Sequence, residues 1–133
     1  HHVLGLCVVD AEGPWAASCF YAVDAEAMAL VVLTSATTRH GRRMAEAPEV
    51  AGTIAGQPDR IIDIRGIQFR ATARMLDGEA RRAALDLYRA RHPAARLMRS
   101  DVWALTLREV KYTDNKLVFG RKISWSRPRS AAE

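Results

Sequence analysis

The segment Ile61–Leu76 most constrains how this chain can fold. Its apolar residues recur at every second position, as a strand with one buried face requires. The phase changes partway along. Ile62 and Ile64 share one parity, whereas Ile67, Phe69, Ala71 and Ala73 share the other, and Gly66 lies between the two sets. A β-bulge at Gly66 would keep both sets on the core side. A strand this long, bent at a glycine, suits a barrel. Further strands are expected over Val3–Val9, Trp15–Val23, Met28–Thr34, Val50–Ala55, Val102–Tyr112 and Leu117–Trp125. Most follow one another in sequence through short turns such as Ala11-Glu12-Gly13 and Thr113-Asp114-Asn115-Lys116.

Two helices interrupt the strands. Thr38–Ala47 is short and ends at Pro48. Glu79–Arg91 places Ala80, Ala83, Ala84, Leu87 and Tyr88 on one face at helical spacing, and His92-Pro93 ends it. A short turn over Ala94–Met98 and a frayed tail from Ser126 to Glu133 complete the expectation. The chain of 133 residues is thus read as one mainly-β domain, spanning 1–133: an antiparallel barrel with peripheral helices.

Composition excludes several classes of function. No apolar run approaches the roughly 20 residues that span a bilayer, so no membrane association is expected. The formal charge of +5 is compatible with nucleic acid, but the basic residues are dispersed. Aromatic residues make up only 7% and do not alternate with basic ones, as a platform for single strands would require. Nucleic acid is therefore not the expected partner. Cys7 and Cys19 fall on neighbouring strands in a diagonal relation about 7–8 Å apart, too far for a relaxed disulfide. They read as small apolar strand residues in a reducing cytoplasm. The opening His1-His2, without Met, reads as a trimmed start with histidines left from a tag.

The segment richest in chemistry runs from Val31 to Arg43. An apolar strand end feeds Thr34-Ser35-Ala36-Thr37-Thr38, and Arg39, His40, Arg42 and Arg43 follow in a short helix. Free N–H groups and the positive end of the helix dipole lie in its first turn. Hydroxyls and cations gathered there can seat a phosphate. An ordinary Thr N-cap with solvated arginines produces the same pattern. Elsewhere, no His or Cys has metal-ligand spacing, and neither His40 nor His92 has an acid at a suggestive distance in sequence. Redox chemistry on a bound cofactor needs no such pair.

The order of elements resembles the pyridoxamine phosphate oxidase-like split-barrel flavoproteins, as does the run Leu33-Thr34-Ser35-Ala36-Thr37-Thr38-Arg39-His40 closing at Pro48. Within them the chain is most similar to the small YhbP-like branch, through Ala51-Gly52-Thr53, Ile64-Arg65-Gly66-Ile67-Gln68-Phe69, Lys111-Tyr112-Thr113-Asp114-Asn115 and Phe119-Gly120-Arg121-Lys122. The resemblance implies a homodimer with FMN at the subunit interface and a small-molecule substrate of unknown identity. It places Ser18, Cys19, Phe20 and Tyr21 along the flavin ring and Leu33 and Thr34 at the end of the next strand. It places Thr38, Arg39 and His40 on the phosphate, and Tyr112 and Lys122 near the C-terminus. A glutamine from the partner subunit corresponds to Gln68.

The chain also departs from that pattern. His40 stands where the family has a phosphate-binding lysine, and Ser18 where it has an arginine. The element that holds a substrate phosphate survives only as Tyr88 with Arg91 and His92-Pro93, with Arg65 as a further candidate. A C-terminal Arg-x-His element is replaced by Lys116-Leu117-Val118. The expectation is an FMN-dependent oxidoreductase that is not a vitamin B6 oxidase. The alternative is a split barrel that has lost flavin and holds another phosphorylated ligand or a partner. A third possibility is haem with His40 or His92 as axial ligand.

Overall fold

The computed structural model describes residues 1–116 and 122–130. The described residues form seven strands: β1 (Val3–Asp10), β2 (Gly13–Asp24), β3 (Ala29–Leu33), β4 (Glu49–Ala55), β5 (Arg65–Met75), β6 (Val102–Asp114) and β7 (Lys122–Ser126). Two α-helices join them, α1 (Arg39–Glu46) and α2 (Gly78–Arg91). The sheet order is β3-β2-β1-β4-β5-β6-β7, and an additional β3–β6 pairing closes the barrel. Every pairing is antiparallel. The mainly-β barrel with peripheral helices expected from the sequence is the observed fold.

Alternation in β1 shows why the sheet closes. Leu4, Leu6 and Val8 are at most 2% exposed and point inward. They meet Tyr21, Val32, Ile54, Phe69, Trp103 and Leu105 in the barrel interior. Each such aliphatic side chain contributes about 1.5–3 kcal/mol on burial. A second cluster lies outside the barrel, where Ala22, Val31 and Val102 are covered by Ala84 and Tyr88 of α2.

The structure corrects five details of the sequence reading. Ile61–Leu76 is not one bulged strand: Ile61–Asp63 form a 3₁₀ turn, and β5 begins at Arg65. Ile62 and Ile64 are each 41% exposed, so the first apolar parity belongs to a turn rather than a core face. The bulge lies across from Arg70 and Ala71, which pair with Glu109 and Leu107 and leave Arg108 as the extra residue. Gly66 has a different cause: a Cβ there would lie 2.2 Å from the Ile54 carbonyl oxygen, so the approach of β4 requires glycine.

In α2, Ala80 and Ala83 are exposed, and the covering stripe uses Ala84, Leu85, Leu87 and Tyr88. Cys7 pairs with Ala16 and Cys19 with Leu4. Their offset of three positions puts the thiols on opposite faces of the sheet rather than on a diagonal, and both are free. Leu117 and Arg121, assigned above to the last strand and to a family motif, lie outside the described residues.

Candidate cofactor site

The turn between β3 and α1 is a closed hydrogen-bonded corner. Thr38 is the N-cap of α1; its hydroxyl accepts from the Gly41 N–H at 3.0 Å and donates to the Ser35 carbonyl at 2.7 Å. Gly41 packs so tightly that a Cβ would meet the Ser35 carbonyl oxygen at 2.2 Å. The first turn of α1 holds no acidic residue. The N–H groups of Arg39 and His40 have no acceptor among the described residues.

Two carboxylates already attend this corner. The Ala36 N–H donates to the Asp101 carboxylate at 2.8 Å, and the Thr34 N–H donates to the Asp101 carbonyl at 3.1 Å. Arg39 turns away toward the β1–β2 hairpin. It donates two hydrogen bonds to Asp10, at 2.7 and 3.1 Å, approaches Glu12 at 3.4 Å, and lies 4.1 Å above the Trp15 ring. The Arg39 guanidinium and the Glu12 N–H hold the Asp10 carboxyl at about 2. His40 shares a 2.6 Å hydrogen bond with the Thr34 hydroxyl. Burial holds its imidazole below the ordinary 6.5, so at neutral pH it supplies a hydrogen-bonding group and not a cation.

Beside this corner lies a sheet face left open among the described residues except at Phe20, whose ring meets that of His92 with centroids 5.4 Å apart. Val3, Val9 and Phe20 are 40%, 58% and 55% exposed on it. The register aligns one row across five strands: Ser18, Gly5, Thr53, Gln68 and Lys111. At ordinary strand spacing, Ser18 and Gln68 are ~14 Å apart along that row. Lys122 pairs with Thr113 two positions from Lys111, so it projects from the same side. Phe20 and Leu33 occupy the next step beyond the Tyr21–Val32 pair, which joins this face to the corner.

The sequence-derived residues therefore separate into groups. Thr34, Thr38, Arg39 and His40 build the corner. Ser18, Phe20, Gln68 and Lys122 project from the uncovered face, and Leu33 lies at the junction. The remainder require correction. Cys19 turns into the barrel interior and is 8% exposed, so its side chain cannot reach a ring on the outer face. Tyr21 has the same parity and lines a cavity at the opposite end of the barrel, together with Tyr112 and Arg65. Tyr88 is 3% exposed and packs on His92 with ring centroids 4.9 Å apart, so it cannot hold a substrate phosphate. Arg91 is exposed and approaches the His1 carbonyl at 3.5 Å.

Sequence reasoning missed Asp10 and Asp101 as partners of the corner. Asp101 lies 65 residues from Ala36, and no local pattern signals such a contact. It also missed Thr53 and Lys111, which strand parity would have supplied once the register was known.

The fold is that of the split barrels, a class whose solved members include cofactor-binding proteins. A heme binding protein of Mycobacterium smegmatis superposes with a TM-score of 0.78 at 23% identity, over 94% of this chain and 52% of that protein. HutZ, the heme storage protein of Vibrio cholerae, gives 0.66 at 21% identity over 80% of this chain and 81% of its own. An FAD-binding protein of Mesorhizobium loti gives 0.67 at 13% identity over 83% and 82%. No family model matches the sequence. The chain is 48% identical over 126 residues to a UPF0306 protein of Serratia proteamaculans (strain 568), covering 95% of this chain and 88% of that protein. It is 44% identical over 126 residues to a UPF0306 protein of Photorhabdus laumondii, again covering 88% of that relative. The chain belongs to the UPF0306 family.

Proposed function

We propose that this protein binds FMN as a homodimer, and that it is a small-molecule oxidoreductase of the YhbP-like branch of the split-barrel flavoproteins. One observation carries the reading: a hydroxyl-lined strand-to-helix corner, with open N–H groups and no acid in its first turn, adjoins an uncovered sheet face of small and apolar residues. Thr38 and the Arg39 and His40 N–H groups would hold the phosphate. Ser18 and Phe20 would line the ring, and the second copy would cover the face and contribute Gln68. The flavin itself would supply the redox chemistry. Flavin and haem binding by proteins of the same fold support a cofactor role. The two free thiols suit a reducing cytoplasm.

The residues fit FMN with one rearrangement. Arg39 can meet a phosphate only by leaving or sharing Asp10. The test is an absorbance spectrum from 300 to 600 nm after FMN addition and desalting. Retained flavin, lost in Arg39→Ala, is the expected result; a colourless wild-type protein would reject the reading. Burial of Tyr88 argues against a vitamin B6 oxidase, so no turnover of pyridoxine phosphate is expected.

A second reading is favoured by the same carboxylates: Asp10 on Arg39 and Asp101 on the Ala36 N–H already satisfy two of the groups that would meet a phosphate. In that case the barrel is a non-catalytic module. It predicts a colourless protein in which Asp10→Asn does not restore flavin binding. Haem is disfavoured because both candidate imidazoles are engaged: His40 with Thr34, and His92 with the Tyr21 carbonyl at 2.7 Å. A Soret band abolished by His40→Ala or His92→Ala would reverse that judgement.

A further inference from the structure

The two ends of the barrel differ. At one end Met44 of α1 packs into the interior cluster. The other end holds a cavity of about 530 Å³, within the ~300–1,000 Å³ of small-molecule sites. Tyr21, Leu30, Ile54, Ile67 and Leu107 form its apolar wall, and Arg65 stands at its lip.

We infer that this barrel mouth binds a small amphipathic carboxylate, with its apolar body between Ile54, Ile67 and Leu107 and its head on Arg65 and the Tyr21 hydroxyl. Neither Arg65 nor the Tyr21 hydroxyl contradicts that use. Tyr21 is 8% exposed as a residue, and its hydroxyl reaches solvent and makes no hydrogen bond among the described residues. The Tyr112 hydroxyl, also at this cavity, donates to Asp114 at 3.1 Å. The Tyr112 hydroxyl is thus engaged, whereas the Tyr21 hydroxyl is left open to solvent and to a ligand in the cavity.

Arg65 has no ion-pair partner among the described residues, whereas its neighbours Arg60 and Lys116 both pair with Asp63, at 2.7 and 3.1 Å. Of the acids nearby, Asp114 already accepts from Tyr112 and from the Lys116 N–H. Asp24, on the opposite lip, accepts from the Ala27 N–H and repels an anion toward the Arg65 side. A guanidinium can clamp a carboxylate through two hydrogen bonds, so head and body are recognised by different groups.

This site is separate from the corner and the flavin reading, and its test needs no flavin. Isothermal titration with octanoate and with octan-1-ol is performed on the whole protein, flavin-free and FMN-treated. Octanoate is expected to bind about tenfold more tightly than the alcohol, since a charge-assisted pair adds to the same apolar contact. Arg65→Gln should erase that preference without weakening the alcohol. Ile67→Trp, checked for native circular dichroism, should block both ligands. Equal binding of acid and alcohol by the wild type, an unaltered preference in Arg65→Gln, or no octanoate binding would each overturn the inference. If octanoate binds but FMN does not, only the flavin reading fails.

Discussion

The outer surface of this barrel carries two contrasting regions. Over β2, β3 and β6 it is closed by α2, and Ala22, Val31 and Val102 are at most 2% exposed. Over β1, β2, β4 and β5 it is open among the described residues, save where His92 meets Phe20, although Val3 and Val9 are as apolar as the covered residues. Both regions alternate outward from the same interior core. The contrast shows that apolar patterning specifies which residues leave the barrel interior but not what meets them outside. A helix from the same chain meets one region, and the proposal assigns a second copy to the other.

The largest effect should come from breaking the covered region. Ala84→Asp would put an unpaired carboxylate between α2 and the sheet, and a loss of about 3 kcal/mol or more in denaturant unfolding is expected. On the bare face, Ala51→Arg should alter monomer stability by no more than about 0.5 kcal/mol while disrupting self-association. If the two substitutions destabilise equally, the regions do not differ as described.

Smaller effects concern the corner. Asp101→Ala removes the acceptor of the Ala36 N–H and should cost about 1–2 kcal/mol. Asp10→Asn releases Arg39 from its pair, and FMN affinity should rise severalfold in a fluorescence titration; unchanged affinity would show that Arg39 does not meet the phosphate.

The smallest effects follow pH. The Asp10 carboxyl lies at about 2 against 3.8 unfolded, so its stabilisation is complete above 3.8 and is lost as pH falls toward 2. Emission from Trp15, beneath Arg39, should change in that window and not in Trp15→Phe. His40 is held below 6.5, so the unfolded chain takes up its proton first, and stability should decline as pH drops below 6.5. His40→Gln should remove that slope in thermal unfolding.

The fold was legible wherever alternation and turn chemistry agreed, as in β1, in β2 and in the Thr38 cap. It was misread at Ile61–Leu76, because a 3₁₀ turn and a strand joined end to end mimic a bulged strand when only parity is counted. The β6 bulge at Arg108 gave no signal, since it depends on how two distant strands register. At the candidate site, the hydroxyls of the corner were readable because they are consecutive. Cys19 and Tyr21 were misassigned because a family strand was carried over residue by residue, whereas alternate residues of a strand face opposite sides. Asp10 and Asp101 were invisible because their partners are remote in sequence.

The most direct test of the central claim is light scattering with in-line absorbance on FMN-loaded, desalted protein, beside Ala51→Arg. The account predicts a dimer whose flavin absorbance co-elutes with the wild type, and a folded Ala51→Arg monomer that has lost the flavin. A colourless or monomeric wild type, or an Ala51→Arg protein that remains dimeric and flavin-bound, would contradict it.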